Sequence, residues 1–125
     1  MDRRQHRSAQ GYPRTARLNA LLHEVLAEEL RRLEDVDERL GLLTITGVEC
    51  GPDLRHATVL LDSMPEGVAA VLEEHRRELQ AALGAQVHLR RTPTLSFLAD
   101  PAITAAERVE QALRRVAERR DRPGS

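Results

Sequence analysis

The chain has almost no aromatic side chains. Tyrosine and phenylalanine occur once each, as Tyr12 and Phe97, and tryptophan is absent. Protein modules that bind single-stranded nucleic acid by stacking its bases need several exposed rings. The sequence therefore excludes a stacking platform of that kind.

Cysteine and lysine are equally scarce. The single Cys50 excludes an internal disulfide and a cysteine-rich zinc site, and its setting predicts a core strand residue. Lysine is absent, so all 19 basic residues are arginine. That bias fits a GC-rich genome as well as it fits a function.

Long apolar runs and catalytic motifs are missing too. No run approaches the length of a membrane span, and the N-terminus lacks the apolar segment of a signal peptide. The sequence has no G-x-S-x-G, no phosphate-cradling glycine-rich loop and no H-x-x-x-H or H-E-x-x-H spacing. We therefore predict a soluble, intracellular protein with no membrane partner, no catalytic residues, no metal site and no cofactor. We also expect a monomer.

Charge is abundant but unevenly placed. The 125 residues carry a net charge of −1, which predicts no partner by itself. The local charge is +4 over residues 1–18, −4 over residues 18–40 and +3 over residues 114–125. These values indicate basic ends and an acidic first helix.

The first half of the chain predicts a helix and a hairpin. Residues 1–12 lack periodicity and predict a flexible basic arm. Apolar residues at helical spacing follow from about Pro13, and Gly41 ends the segment. Residues 42–50 and 54–62 then predict two antiparallel strands, with a bulge or a close packing contact at Gly47 and a turn at residues 51–53.

Residues 62–93 predict a central helix followed by a strand. Ser63 and Glu66 have the spacing of a capping box, and Gly84 is a plausible helix stop. Val87 and Leu89 alternate with polar residues, which is typical of a half-buried strand. Pro93 interrupts this strand, so we expect an edge strand or a bulge that resumes at residues 95–97.

Asp100 and Pro101 then predict the start of a last helix. Its apolar residues recur at helical spacing as Ile103, Ala106, Val109, Leu113 and Val116. The order α-β-β-α-β-α predicts one α+β domain over residues 13–118, with helices packed on one face of a three-stranded sheet. Residues 119–125 predict a polar tail.

Paired arginines are the best candidates for nucleic-acid contact. Guanidinium groups donate in a fork to phosphate oxygens, which suits a surface poor in rings. We therefore assign Arg76 and Arg77 on the central helix, and Arg90 and Arg91 on the strand, to two walls of one anion-binding groove. Strand alternation turns Arg90 and Arg91 to opposite faces unless a bulge intervenes. The remaining candidates are Arg55, Arg14 and Arg17.

The order and spacing of four stretches resemble the bacterial ribosome-binding factor A family. They cover most of the chain between residues 14 and 113, and no stretch alone is specific. The stretches are RTARLNALLHEVLAEEL (14–30), DERLGLLTITGVECGPDLRHATVLL (37–61), LQAALGAQVHLRRTPTLSFLAD (79–100) and ITAAERVEQAL (103–113).

The resemblance implies a type II KH-like fold and a cytoplasmic RNA-binding factor of ribosome biogenesis. Such a factor would bind the small (30S) ribosomal subunit and assist late maturation of 16S rRNA, including rRNA processing at the pre-rRNA 5′ end. The family also implies a role in cold adaptation and no catalysis. The alternative is a protein-interaction module whose acidic first helix docks a ribosomal protein or an assembly GTPase.

Two features depart from the family pattern. The family kinks its central helix at a small-residue step, which here falls on residues 75–77, where no glycine or proline breaks the helix. With His75 as the kink position, we expect either a mild bend there or a nearly continuous helix from about Pro65 to Leu83. A histidine on an apolar stripe is more often a packed residue than a ligand. The Gly-x-x-Gly loop of typical KH domains is also absent.

Overall fold

The computed structural model describes the backbone of residues 2–121 and the side chains of residues 15–120. Three helices and three strands follow in the order α-β-β-α-β-α, with a short 3-10 turn after the first helix. Their bounds are α1 Asp2–Val36, the 3-10 turn Glu38–Leu40, β1 Ile45–Cys50, β2 His56–Leu61, α2 Val68–Gln86, β3 Thr94–Ala99 and α3 Pro101–Asp121. The predicted α+β class and element order are confirmed.

The sheet has the order β1-β2-β3 and is mixed. β1 and β2 form the predicted antiparallel hairpin, and its register shifts between Ile45 and Gly47, which confirms the bulge. β3 pairs in parallel with β2, so that His56 lies opposite Thr94. The segments that precede β2 and β3 therefore meet at the same end of the sheet.

α1 and α2 cover one face of this sheet. Alternate residues of β2, namely Ala57, Val59 and Leu61, are buried there, as the strand period requires. The apolar stripe of α1 contributes Leu22 and Leu26, which are almost fully buried. α2 contributes further buried side chains, namely Val68, Val71, Leu72, Leu79 and Leu83.

The central helix begins and ends at different residues from those predicted. α2 begins at Val68 after Gly67, whose φ of 86° is left-handed, and no side chain caps it, so the predicted capping box does not form. At the other end the helix continues past Gly84 to Gln86. A Cβ at Gly84 would lie 2.7 Å from Oγ1 of Thr92. Glycine there accommodates the close approach of Thr92 and does not end the helix.

Residues 87–93 are an irregular connection, not the strand that was predicted. The parallel ladder starts at Thr94, whose N–H donates to the carbonyl of Arg55 at 2.8 Å. Pro93 has no N–H to donate, which explains why the ladder cannot start earlier. β3 itself lies at the edge of the sheet, as expected for this part of the chain.

The two terminal helices are longer than predicted. α1 begins at Asp2, so the backbone of residues 2–12 is helical where a flexible arm was predicted; the side chains of residues 1–14 lie outside the described residues. α3 starts at the predicted cap, where Oδ1 of Asp100 accepts from the N–H of Ala102 at 2.9 Å. It reaches Asp121, and residues 122–125 of the predicted polar tail lie outside the description. The domain boundaries remain predictions.

α3 differs from the other helices because its apolar stripe is not covered by the described part of the chain. Every residue from 105 to 120 is exposed. Val109 is 59% exposed and Leu113 is 64% exposed. None of the helices that the structure describes contains an apolar stretch long enough to cross a membrane.

Candidate nucleic-acid interface

A groove lies where the β1–β2 turn meets the connection before β3. Its volume is about 300 Å³. The groove is lined by Asp53, Leu54, Arg55, Leu89, Arg90 and Arg91. We call it the Arg55 groove. Because β2 and β3 are parallel, the segments that precede them lie side by side and bring these residues together.

One wall of the Arg55 groove is a tightly bonded turn. The N–H of Leu54 donates to the carbonyl of Gly51 at 3.0 Å, and the N–H of Gly51 donates to the carbonyl of His56 at 2.9 Å. Oδ1 of Asp53 accepts from the N–H of Arg55 at 3.0 Å, which is an Asx turn. These bonds fix the direction in which the turn presents its side chains.

Leu54 has an unusual backbone conformation in this turn. Its φ is 59°, and it is the one non-glycine residue with positive φ in the part of the chain that the structure describes. The left-handed region favours glycine and asparagine, and another side chain pays a conformational cost there. Leu54 is also 44% exposed, so the core does not require its side chain.

The other wall is held by contacts with α2 and β2. Val87 is buried, and Thr92 packs closely against Gly84. The N–H of Leu95 donates to Oε1 of Gln80 at 3.0 Å. These contacts anchor both ends of the connection that carries Arg90 and Arg91.

The three arginines of the groove are not neutralised by nearby acids. Among the described side chains, Arg55, Arg90 and Arg91 form no salt bridge and no side-chain hydrogen bond. Arg32 and Arg39, by contrast, pair with acids on α1, just before the 3-10 turn and on α2. Three guanidinium groups and one carboxylate, that of Asp53, line the concavity, so the lining has a net positive charge, which favours an anionic ligand.

The structure separates the two arginine pairs that were predicted to face each other. Neither Arg76 nor Arg77 lines the Arg55 groove, and Arg55 occupies the wall that was assigned to them. Arg76 pairs with Glu73 at 2.7 Å, whereas Arg77 is exposed. Both precede the C-terminal end of α2 by nine or ten residues, which is roughly 14–15 Å along a helix axis.

The remaining predicted residues lie elsewhere. Arg17 is exposed on α1, and the side chain of Arg14 lies outside the described residues. α2 continues without a break through His75, the expected kink position. Burial raises the pKa of the Cys50 thiol, which suits the predicted structural role of this half-buried residue.

His75 joins α2 to the segment after α1. Its Nε2 lies 2.8 Å from Oδ2 of Asp37, and Asp37 also binds the guanidinium of Arg39 at 2.7 Å. Arg39 then reaches Glu74 at 3.1 Å. The Asp37 hydrogen bond raises the pKa of His75, and Arg39 followed by His75 holds the pKa of Asp37 well below its usual range.

Sequence reasoning missed three members of the groove. Asp53, Leu54 and Leu89 were assigned only to a turn or to strands. The G-P-D-L-R run was a local signal for the turn, because Pro and Asp favour that geometry. Nothing in the local sequence indicated that this turn faces residues 89–91, because they lie more than thirty residues further along the chain.

The acidic face of α1 is partly engaged within the molecule. Arg32 bridges Glu29 at 3.1 Å and Glu28 at 3.9 Å. Oε1 of Glu29 also accepts from the side chain of Gln86 at 3.2 Å. The Gln86 contact links α1 to α2, and the Arg32 ion pairs leave less free negative charge for a basic protein partner.

The fold and the groove define the class of the protein. It is a small KH-like α+β domain with a cationic, ring-poor groove at one end of a mixed sheet. The ribosome-binding factor A family model matches residues 14–113. The chain belongs to the ribosome-binding factor A family.

Curated relatives share much of the sequence. The chain is 38% identical to ribosome-binding factor A of Rubrobacter xylanophilus over 107 residues, which is 82% of this chain and 87% of that protein. It is 36% identical to the Aliivibrio fischeri protein over 104 residues, which is 78% of this chain and 76% of that protein.

Solved structures of the family share the fold. The crystal structure of ribosome-binding factor A from Thermus thermophilus is 39% identical, with a TM-score of 0.63 over 68% of this chain and 94% of that chain. A homology model of the Thermus protein, fitted into a cryo-EM map of its complex with the 30S subunit, gives a TM-score of 0.56 at 39% identity. It covers 64% of this chain and 88% of that chain.

Proposed function

We propose that this protein binds the small ribosomal subunit and contacts 16S rRNA with the arginines of the Arg55 groove. The observation that carries the proposal is the grouping of Arg55, Arg90 and Arg91 around one concavity without acid partners. Membership of the family supports it, as does the Thermus relative in a 30S complex. Arg76, Arg77, Arg17 and Arg14 are proposed as further candidate contacts to rRNA.

We infer that the protein acts by unequal binding and without catalysis, as a cytoplasmic monomer. A factor that binds an immature rRNA conformation more tightly than the mature one shifts the population towards the former and leaves when the latter forms. This mechanism fits assistance in late 16S rRNA maturation, including processing of the pre-rRNA 5′ end. It needs a site for folded RNA and no reactive group.

Co-sedimentation with small subunits tests the proposal. The triple variant Arg55→Glu, Arg90→Glu, Arg91→Glu should lose binding at a salt concentration where the wild type binds. Arg31→Glu is the matched control, because Arg31 is exposed on α1 and does not line the groove. Undiminished binding of a folded triple variant would remove the groove from the account.

The double variant Arg76→Glu, Arg77→Glu asks whether α2 adds to the interface. We expect a weaker loss than in the triple variant, because Arg76 already pairs with Glu73. A loss as large as that of the triple variant would instead make the face of α2 the main contact.

A further inference from the structure

The Arg55 groove contains apolar side chains that phosphate binding does not need. Leu54 and Leu89 line it beside the three arginines. Contacts to a sugar-phosphate backbone require cations and hydrogen-bond donors only. The two leucines therefore call for a ligand that also has an apolar surface.

Leu54 is the more informative of the two. Its side chain is 44% exposed, and its backbone adopts a left-handed conformation with φ of 59°. Neither the core nor the turn selects leucine at such a position, because asparagine or glycine would fit the turn better. An exposed apolar side chain in a strained turn at the rim of a groove is placed to meet a ligand.

Asp53 adds a hydrogen-bond acceptor to the arginines and leucines of the groove. Its Oδ1 accepts from the N–H of Arg55 at 3.0 Å, and its other oxygen has no hydrogen bond to any side chain or backbone that the structure describes. A carboxylate repels phosphate but accepts from an amino group or a hydroxyl. A nucleotide offers such donors on the base and at the ribose 2′-OH.

We propose that the Arg55 groove takes one unpaired ribonucleotide. The base packs against Leu54 and Leu89, a donor group of the nucleotide faces Asp53, and the adjoining phosphates lie against the arginines. The volume of about 300 Å³ is at the lower end for ligand pockets, and a base pair would require two strands to enter. The inference rests on the proposed function and specifies its ligand as a bulged or looped-out nucleotide in rRNA.

Two RNA hairpins that differ only by one bulged nucleotide test this inference by fluorescence anisotropy. The full chain should bind the bulged hairpin about threefold to tenfold more tightly than the fully paired one, since burial of the exposed 44% of Leu54 is worth about that factor. Equal affinity for the two hairpins would overturn the proposal. So would the absence of binding to the bulged hairpin by a protein that still co-sediments with small subunits.

The variant Leu54→Asn tests whether the groove is responsible for the preference for the bulged hairpin. Asparagine tolerates the left-handed backbone, so the turn is retained while the apolar contact is lost. We expect the preference for the bulged hairpin to disappear and binding to the paired hairpin to remain. Leu42→Asn is the control, because Leu42 is 92% exposed and does not line the groove. A preference that survives Leu54→Asn would contradict the proposal.

Small-subunit binding separates this inference from the proposed function. If the wild type fails to co-sediment with small subunits, the proposed function is wrong. If it co-sediments but does not distinguish the hairpins, only the nucleotide site is wrong. If Leu54→Asn weakens subunit binding and the hairpins still bind equally, the groove contacts a ribosomal protein and the nucleotide proposal is overturned.

Discussion

Nε2 of His75 on α2 lies 2.8 Å from Oδ2 of Asp37, which precedes the 3-10 turn after α1. The contact spans 38 residues of sequence and ties the central helix to the end of the first helix. It also gives a histidine on an apolar stripe a polar partner, which explains how the stripe accommodates it. Because both groups titrate, the contribution of this contact to stability should change with pH.

Stability should depend on pH through this pair. Asp37 raises the folded-state pKa of His75 above its ordinary value of 6.5, so its stabilising effect is complete below pH 6.5. The effect is lost as the pH rises through the raised pKa. Asp37 has a depressed pKa, so its own contribution is present above its ordinary value of 3.8 and is lost as the pH falls through the depressed pKa.

Urea unfolding of His75→Ala checks this expectation. The free energy of unfolding should fall more at pH 5.5 than at pH 8.5, because only the protonated imidazole is favoured by the carboxylate. His88→Ala is the control, since His88 is exposed and forms no ion pair within the described residues. An equal loss of unfolding free energy for His75→Ala at both pH values would show that His75 stabilises the fold by packing alone.

Gly84 and Thr92 provide a second prediction. Alanine raises helix propensity by about 0.5–1 kcal/mol over glycine, but a Cβ at Gly84 would lie 2.7 Å from Oγ1 of Thr92. We expect Gly84→Ala to destabilise the wild type by about 1–3 kcal/mol, the usual cost of overpacking. In a Thr92→Ala background the same change should stabilise. Thermal unfolding of the four proteins measures this sign change, and its absence would mean that Thr92 simply moves aside.

Leu54 predicts a conflict between stability and binding. Leu54→Asn should raise the free energy of unfolding by about 1 kcal/mol, because asparagine relieves a conformation that costs roughly 1–3 kcal/mol. The gain should appear in denaturant unfolding together with weaker RNA binding. Leu42→Asn should leave both nearly unchanged. A destabilised Leu54→Asn protein would show that the leucine side chain supports the turn.

The contrast between α2 and α3 gives a prediction about packing. Leu72 is fully buried, so Leu72→Ala should cost about 2–5 kcal/mol of unfolding free energy. Leu113 lies on the exposed stripe of α3, so Leu113→Ala should change the free energy of unfolding by less than about 0.5 kcal/mol. A large loss for Leu113→Ala would mean that α3 packs against the domain in solution.

Features that depend on local sequence were predicted well. The order of the elements follows from apolar periodicity, the bulge follows from Gly47, and the start of α3 follows from Asp100 and Pro101. Each of these is a property of neighbouring residues. The family resemblance was likewise legible from the order of four stretches and is confirmed by the comparisons.

Features that depend on contacts between distant residues were not predicted. The sequence pattern of Gly84 suggested a helix stop, yet the helix continues past it and Thr92 approaches it closely, which no periodicity reveals. Arg55 shares the groove with Arg90 and Arg91, because the parallel register sets His56 opposite Thr94. From spacing along the chain, Arg76 and Arg77 were predicted to form that wall of the groove instead.

Salt dependence of small-subunit binding tests the central claim most directly. Each phosphate contact contributes about 0.7–0.9 to the slope of log K against log salt. Replacement of Arg55, Arg90 and Arg91 by glutamine should therefore flatten the slope by about 2–3, whereas Arg31→Gln should leave it unchanged. An unchanged slope in the folded triple variant would contradict the assignment of the Arg55 groove to rRNA.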